Sequence, residues 1–442
     1  MSVNLRNRLS LFILLATCTT LTTGANAQDL QEEINELRSR LDALEQLLAT
    51  SQQQPPVVAV APTPVPAPAP APARTTSSSF NPAIGIIFQG QAWTSQRSGE
   101  DTAIQGFPAG GESGPITDGL ALGETEINFS ANVDDKFTAW LTLPVVIEDG
   151  EAGVEIEEAW IETTAMPAGL STRVGKFFSG VGYLNSKHAH SWDFADQPLP
   201  YQSLMGSQYG DTGIQMNWLA PTDTYLQLSA EVLSGDAHPA GGADGSSAGA
   251  WSLYANTGGD IGRNSSWLAG LSFLRSDSAE RPSGDEDDPL LFSGSSDTLI
   301  ASAVWKWAPN GNWKLRNAVV QAEYIQQSNE GAYELLGNPD LAYNVDQSGW
   351  YIQGVYQPFP RWRFGARFDT LTTDDPGLAF VGSELEKLDD DPDRFSLMAD
   401  WSNSEFSRLR LQYTVDSTGP ETDNQLGIQY SFSIGAHGGH SF

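Results

Sequence analysis

Residues 424–434 read NQLGIQYSFSI. Apolar side chains occupy every second position from Leu426 to Ile434, and polar or small residues lie between them. Because successive side chains of a β-strand point to opposite faces, such a strand has one apolar and one polar face. The length, about ten residues, is typical of a tilted strand that crosses a membrane with lipid on one side and water on the other.

Segments with this period of two recur from residue 80 to the end of the chain. We count sixteen, which start near Ala83, Leu122, Phe137, Val154, Leu170, Asp211, Thr224, Ala250, Ser266, Asp297, Lys314, Gln347, Trp362, Asp393, Ser407 and Asn424. Short connections alternate with long ones, which are expected at residues 94–119, 185–210, 277–296, 328–346 and 372–392. The pattern predicts an all-β fold, a transmembrane antiparallel β-barrel of about sixteen strands. The alternatives are a barrel of fourteen or eighteen strands and a soluble all-β protein.

The N-terminal residues have the order of an export signal. Arg6 and Arg8 precede an apolar stretch, and Ala25-Asn26-Ala27 supplies a cleavage site of small residues. Residues 1–27 are therefore predicted to be a secretory signal peptide, with a lipoprotein signal at Cys18 as the alternative. Because Cys18 is the only cysteine, cleavage leaves a mature chain without disulfides.

Two further segments precede the barrel. In residues 28–54, leucines and an isoleucine recur at alternating spacings of four and three, which predicts a short coiled coil or, alternatively, a lone amphipathic helix. Residues 55–79 are rich in Pro and Ala and predict an extended linker. Residues 80–442 then form the barrel, in the outer membrane of a Gram-negative bacterium, with the N-terminal helix in the periplasm.

The composition restricts the classes of function. The chain has 23 Lys and Arg against 55 Asp and Glu, a formal net charge of −32, which argues against nucleic acid as a partner. The sequence contains no nucleotide-binding loop, nucleophile elbow or HExxH helix. We therefore do not expect an enzyme.

Strand parity predicts which charged side chains face the lumen. Acidic residues are expected on one side of the barrel, at Glu124, Glu126, Glu158 and Glu162. Basic residues are expected on the strands near the C-terminus, at Arg363, Arg367, Arg394, Arg408 and Arg410. Two facing arcs of opposite charge would orient polar solutes and exclude apolar ones. Alternatively, these residues are simply solvated and have no role in selectivity.

The five histidines include two pairs that could bind a metal. His188 and His190 lie in the third long loop, and Asp193 follows them closely. His437 and His440 form a second pair near the C-terminus. Imidazole and carboxylate ligands suit zinc or copper, so Zn²⁺ is a candidate ligand or substrate. The alternative is that the loop histidines are polar residues of a constriction.

One pair of short stretches resembles the phosphate-selective porin superfamily. These stretches are EAWIE at residues 158–162 and LSTRVGKFF at residues 170–178. The resemblance implies a trimeric barrel of sixteen strands, in some members with an N-terminal coiled coil. It also implies a phosphate path lined by many Lys and Arg. This chain has only six Lys, which argues against phosphate selectivity.

A second pair of stretches resembles outer-membrane proteins labelled zinc-regulated TonB-dependent receptors. They are GYLNSKHAHSWDF at residues 182–194 and the C-terminal FSIGAHGGHSF at residues 432–442. The label implies zinc-responsive expression and metal uptake. Receptors of the TonB-dependent class have about twenty-two strands and a plugged lumen, which this sequence does not match, so we reject that mechanism.

The sequence thus predicts a porin-like channel for passive diffusion of small hydrophilic or cationic solutes. The alternatives are a zinc-binding uptake protein without a plug domain and a tether between the outer membrane and the cell wall. The expected partners are outer-membrane lipid and lipopolysaccharide, two further copies in a homotrimer, peptidoglycan, and the permeating solutes or metal ions. In sixteen-stranded porins, the third loop commonly folds into the barrel and narrows it.

Overall fold

The computed structural model describes residues 82–97, 104–108, 110–111, 116, 118–148, 151–242, 248–284, 289–335, 338–388 and 390–435. The predicted signal peptide, coiled coil and linker lie outside these residues, as do His437 and His440. Among the described residues, no helix combines the length and the apolar character needed to span a bilayer.

The described chain forms a closed antiparallel barrel of sixteen strands, which confirms the predicted count. Each strand pairs with its neighbours along the chain, and the last pairs with the first, with Phe88 opposite Phe432. The strands are β1 (Ala83–Thr94), β2 (Gly119–Leu122 and Glu126–Asn132), β3 (Phe137–Glu148), β4 (Glu151–Val154 and Glu158–Thr163), β5 (Leu170–Phe178), β6 (Gly210–Leu219), β7 (Tyr225–Leu233), β8 (Ala250–Ile261), β9 (Ser265–Ser283), β10 (Leu290–Trp307), β11 (Asn317–Leu335), β12 (Asn338–Phe359), β13 (Trp362–Thr373), β14 (Asp393–Ser404), β15 (Ser407–Asp416) and β16 (Asp423–Gly435).

The two faces of the barrel differ in polarity, as the alternation predicts. Along β6 and β7, Ile214 and Val232 are paired and exposed on the outer face, whereas Gln215 and Glu231 are buried inside. The same division holds around the wall, where exposed apolar residues include Leu253, Leu271, Ile352, Phe364, Leu411 and Ile428. An apolar band around a closed barrel is stable in lipid, because the closed sheet leaves no backbone groups unpaired at an edge.

Strands β2 and β4, the two neighbours of β3, are each interrupted once. Pro144 of β3 lies opposite Glu126 and has no N–H to donate to a strand ladder. The ladders continue on either side of it, where Val145 N donates to Thr125 O at 2.7 Å and Glu157 N donates to Thr142 O at 3.1 Å. These interruptions change the side-chain parity locally.

The predictions of two long loops are wrong. Residues 277–296 and 328–346 are largely strand, because β9 to β12 extend to 18–22 residues and are joined by short connections. An aromatic cluster on the inner side of these extensions stabilises them. Phe292, Tyr333 and Tyr343 pack together there, and Phe380 of the connection between β13 and β14 packs on Tyr343 with ring centroids 5.6 Å apart.

Candidate functional site

The loop between β5 and β6, residues 179–209 and here named L3, folds into the barrel interior. It contains one short α-helix, α1 (Leu199–Leu204), and a 3₁₀ turn at Ala189–Ser191. Its apolar side chains, among them Val181, Tyr201 and Met205, have no exposed surface. They form one cluster with apolar residues that point inward from the wall, which are Leu233, Leu274, Ile300, Ile325 and Leu371. Burial of this cluster fixes L3 across the lumen.

Two wall carboxylates bind the first part of L3, residues 179–184, and one of them also binds Tyr201 of α1. Glu231 of β7 accepts a hydrogen bond from Gly180 N at 2.9 Å and another from the Ser179 hydroxyl. Glu323 of β11 accepts bonds from four donors, of which three belong to L3. These donors are Tyr183 N at 2.7 Å, Leu184 N at 3.1 Å, the Tyr201 hydroxyl at 2.9 Å and the Tyr351 hydroxyl at 2.6 Å. Each carboxylate thereby satisfies buried donors that a loop cannot pair internally.

Glycine is required where L3 approaches the Glu323 carboxylate. Gly182 has φ +71°, in the left-handed region that favours glycine. A Cβ at this position would lie 2.3 Å from the Tyr201 hydroxyl and 2.9 Å from Glu323 Oε2. The absence of a side chain at residue 182 therefore permits the hydrogen bonds to Glu323.

The second part of L3 is bound by the basic arc. Asp196 pairs with Arg367 at 2.7 Å and with Arg394 at 2.9 Å, and its other oxygen accepts a bond from Gln412 at 2.6 Å. Asp193 pairs with Arg363 at 2.8 Å. The arginines are therefore not simply solvated; they pair with carboxylates of the loop.

The last two arginines of the basic arc bind backbone carbonyls of L3. Arg410 donates to Trp192 O at 2.6 Å, and Arg408 donates to His190 O at 2.8 Å. Together with the contacts above, hydrogen bonds or ion pairs join L3 to strands on both sides of the lumen. A solute that crosses the barrel must pass around L3.

The acidic arc holds the histidines of L3. His188 Nδ1 lies 3.0 Å from Glu157 Oε2 and 3.4 Å from Glu126 Oε2, and His188 Nε2 lies 3.0 Å from Glu158 Oε2. His190 Nδ1 lies 3.0 Å from Glu126 Oε1. L3 thus connects the two charged arcs, with imidazoles on the acidic side and carboxylates on the basic side.

These carboxylates shift the pKa values of both histidines. Burial lowers the pKa of His190, but Glu124 and Glu126 raise it by more, to about 9. The same opposition between burial and carboxylates leaves the pKa of His188 well above its ordinary value. When only protein groups surround them, both imidazoles are expected to be protonated at neutral pH.

Two cavities adjoin L3 and share its residues Tyr183, Lys187 and His190. The larger has a volume of about 920 Å³ and lies along the wall from β2 to β9. Its charged lining residues are Glu126, Glu158, Glu162, Asp260, Arg173 and Lys187, and His188 and His190 line it too. The smaller has a volume of about 530 Å³. Its charged lining residues are Lys187, Asp193, Lys306, Arg363, Glu405 and Arg408.

The structure brings together only part of the predicted metal set. His188 and His190 are adjacent, with ring centroids 5.6 Å apart, but Asp193 lies on the basic side with Arg363. Sequence reasoning missed Glu157, which strand parity assigns to the opposite face from Glu158. It also missed Glu231 and Glu323 as anchors of L3. Glu231 is the single acid of β7, whereas β11 carries Glu330 and Glu334 besides Glu323. Glu162 pairs with Arg173 at 2.8 Å.

A closed sixteen-stranded barrel with an apolar outer face and an inward-folded third loop has the fold of an outer-membrane porin. Two solved porin-type structures share this fold. The outer-membrane channel DcaP of Acinetobacter baumannii is 14% identical, with a TM-score of 0.50 over 80% of this chain and 97% of that one. An anion-selective porin from Comamonas acidovorans is 10% identical, with a TM-score of 0.51 over 80% of this chain and 99% of that one.

A protein of Aquifex aeolicus (strain VF5), described as uncharacterized, gives the family. It is 30% identical over 354 residues, which are 75% of this chain and 72% of that protein. The chain therefore belongs to the same family as this Aquifex protein. No model of a described protein family matches the chain.

Proposed function

We propose that this protein is an outer-membrane channel through which small hydrophilic solutes, preferentially cations, diffuse passively around L3. The observation that carries the proposal is the cavity of about 920 Å³ beside L3, which charged side chains help to line, inside a closed barrel whose outer face is apolar. Water-filled lumens of this kind conduct by diffusion, and the charges on their walls set the selectivity.

Cation preference is supported by the net charge of the chain, which is −32. The larger cavity contributes the carboxylates of Glu126, Glu158, Glu162 and Asp260, and Arg173, Lys187, His188 and His190 line it as well. Lumen carboxylates raise the local concentration of cations and lower that of anions. The basic residues of the smaller cavity are largely engaged with L3, since Arg363 pairs with Asp193 and Arg408 binds a backbone carbonyl.

Planar bilayer recordings test the proposal. Purified mature protein under a KCl gradient is expected to give discrete conductance steps and a reversal potential that favours cations. Glu162→Gln is expected to move the reversal potential toward anions, because it leaves the charge of Arg173 unbalanced in the lumen. An absence of conductance would refute the channel, and an anion-favouring potential in the unmodified protein would refute the cation preference.

Asp297→Asn is a matched control. Asp297 pairs with Arg275 at 2.9 Å, much as Glu162 pairs with Arg173, but its side chain alternates with the buried Ser296 and Thr298 and so lies on the outer face. Its neutralisation also leaves an arginine unbalanced, but outside the lumen. We expect an unchanged reversal potential.

The assembly and the remaining partners are part of the same proposal. A homotrimer in lipid and lipopolysaccharide is supported by the heptad pattern of residues 28–54, whose charged flanking positions favour parallel helices. Contact of that helix with peptidoglycan, and with it the tether function, stays a prediction that rests on sequence alone.

A further inference from the structure

Four ligand atoms converge where L3 meets the acidic arc. A nitrogen of His188 and one carboxylate oxygen each from Glu124, Glu126 and Glu157 all lie within 4.8 Å of one another. We propose that these four residues form a site for one divalent transition-metal ion, which attaches L3 to strands β2 and β4. Any effect of this site on permeation rests on the proposed channel function, whereas metal binding itself does not.

The spacing of the atoms matches a coordination sphere. His188 Nδ1 lies 3.0 Å from Glu157 Oε2, 3.4 Å from Glu126 Oε2 and 3.9 Å from Glu124 Oε1. Metal–ligand bonds of about 2.1 Å in a tetrahedral site place neighbouring ligand atoms about 3.4 Å apart. An ion could therefore be accommodated with only small side-chain movements.

The site also has buried polar atoms whose hydrogen-bonding capacity is unused. The Glu126 side chain has no exposed surface, and its Oε1 accepts a bond from Asn128 at 2.8 Å. Its Oε2 makes no hydrogen bond of regular geometry among the described residues, and neither do Glu124 Oε2, Glu157 Oε2 and His188 Nδ1, although His188 Nδ1 lies within ion-pair distance of Glu126 and Glu157. Buried polar atoms are nearly always paired, so a cluster that converges on one point indicates a missing partner.

Electrostatics favour a cation at this point. Three carboxylates that share a buried site repel each other and lose hydration, and each effect disfavours their charged form. A divalent ion at this point would contact the carboxylate oxygens directly and offset their charge.

The donor set discriminates between metals. An imidazole nitrogen with carboxylate oxygens suits Zn²⁺ and similar transition metals, whereas Ca²⁺ and Mg²⁺ are bound almost entirely by oxygen. The other nitrogen of His188 lies 3.0 Å from Glu158 Oε2. A carboxylate that holds the second nitrogen of a metal-binding histidine fixes the orientation of the ring. Glu158 is therefore a positioning residue of the proposed site.

The fold explains how these residues meet. Glu124 lies in the interruption of β2, and Glu157 lies in the interruption of β4, on opposite sides of Pro144. Without the interruptions, strand parity would direct Glu157 and Glu158 to opposite faces. Because Glu126, His188 and His190 also line the larger cavity, an ion that enters the lumen can reach the site.

Isothermal titration of the purified, folded mature protein with Zn²⁺, and separately with Ca²⁺, tests the site. We expect one Zn²⁺ per chain and much weaker Ca²⁺ binding. Glu126→Gln and His188→Ala are each expected to abolish the Zn²⁺ heat. Glu158→Gln is expected to weaken Zn²⁺ binding about 10–100-fold, the usual effect of losing such a positioning group.

Two controls and a folding check make the result decisive. Asp193→Asn removes a neighbouring L3 carboxylate and should leave Zn²⁺ binding unchanged, and so should His437→Ala combined with His440→Ala. Resistance of the barrel to unfolding by SDS confirms that each variant is folded. Should His188→Ala fail to fold, Glu157→Gln takes its place, because the Glu157 side chain is 18% exposed.

Two results would overturn the metal site. One is wild-type Zn²⁺ affinity in folded Glu126→Gln and Glu157→Gln variants, and the other is loss of binding only in the C-terminal double variant. Bilayer recordings are kept separate from the titration. Zn²⁺ binding without conductance would refute the channel alone, whereas conductance without Zn²⁺ binding would refute the metal site alone.

Discussion

Replacing Asp196 by alanine is expected to release the second part of L3 and raise the single-channel conductance. Asp196 is only 10% exposed, and it pairs with Arg367, which is 1% exposed, and with Arg394, which is 9% exposed. Removal of one partner from a buried ion pair costs about 3–5 kcal/mol, because the remaining charge stays in a poorly hydrated site. Both arginines keep a second carboxylate, Asp369 or Asp416, so we expect the lower end of that range.

The effect is measured as conductance in planar bilayers and as the temperature at which the folded barrel unfolds in SDS. A cost of about 3 kcal/mol changes the ratio of anchored to released loop by about two orders of magnitude, since 1.4 kcal/mol is a factor of ten. Asp193→Asn is the matched comparison, because its arginine partner, Arg363, is 25% exposed and the lost pair is partly hydrated. Equal conductance in Asp196→Ala and the unmodified protein would show that this ion pair does not hold L3.

The strands could be predicted because lipid imposes one rule along the whole wall. Each membrane-crossing segment needs an apolar outer face, so its alternation is visible in the sequence alone. Glu126 and Arg367, which parity assigns to the lumen, are buried in the structure. The extensions of β9 to β12 could not be predicted in this way. Their inner faces are held by an aromatic cluster, and residues such as Gly331 and Ser328 give them no regular apolar stripe.

The partners of L3 were beyond sequence reasoning for a different reason. A loop has no period, so its path across the lumen depends on contacts between residues that are far apart in the chain. His190 and Asp193 are three positions apart, yet they bind opposite arcs because L3 crosses the lumen between them. Likewise, Glu157 joins the histidines only because β4 is interrupted beside Pro144. Proximity in the sequence therefore does not bring Asp193 next to His188; the structure places it beside Arg363.

Replacing Glu323 by alanine is expected to have the second large effect on L3. Glu323 is buried, and the substitution leaves four donors without their acceptor, two of them backbone N–H groups of L3. Each buried donor left unsatisfied costs about 1–3 kcal/mol unless water replaces the acceptor. We therefore expect a lower unfolding temperature and a higher conductance. Tyr201→Phe removes a single donor and should give a smaller change of the same sign.

A combination of Asp196→Ala with Glu323→Ala shows whether L3 moves as one body. Residues from both parts of the loop, such as Val181 and Tyr201, belong to a single apolar cluster, and Tyr201 shares the Glu323 carboxylate with Tyr183. This connection predicts that both single variants and the double variant have the same open conductance level. Only the time spent in that level should increase. The free-energy costs of the two substitutions should add in the double variant because the anchors are separate. Distinct levels for each single variant, which sum in the double variant, would instead mean that the two parts of L3 open independently.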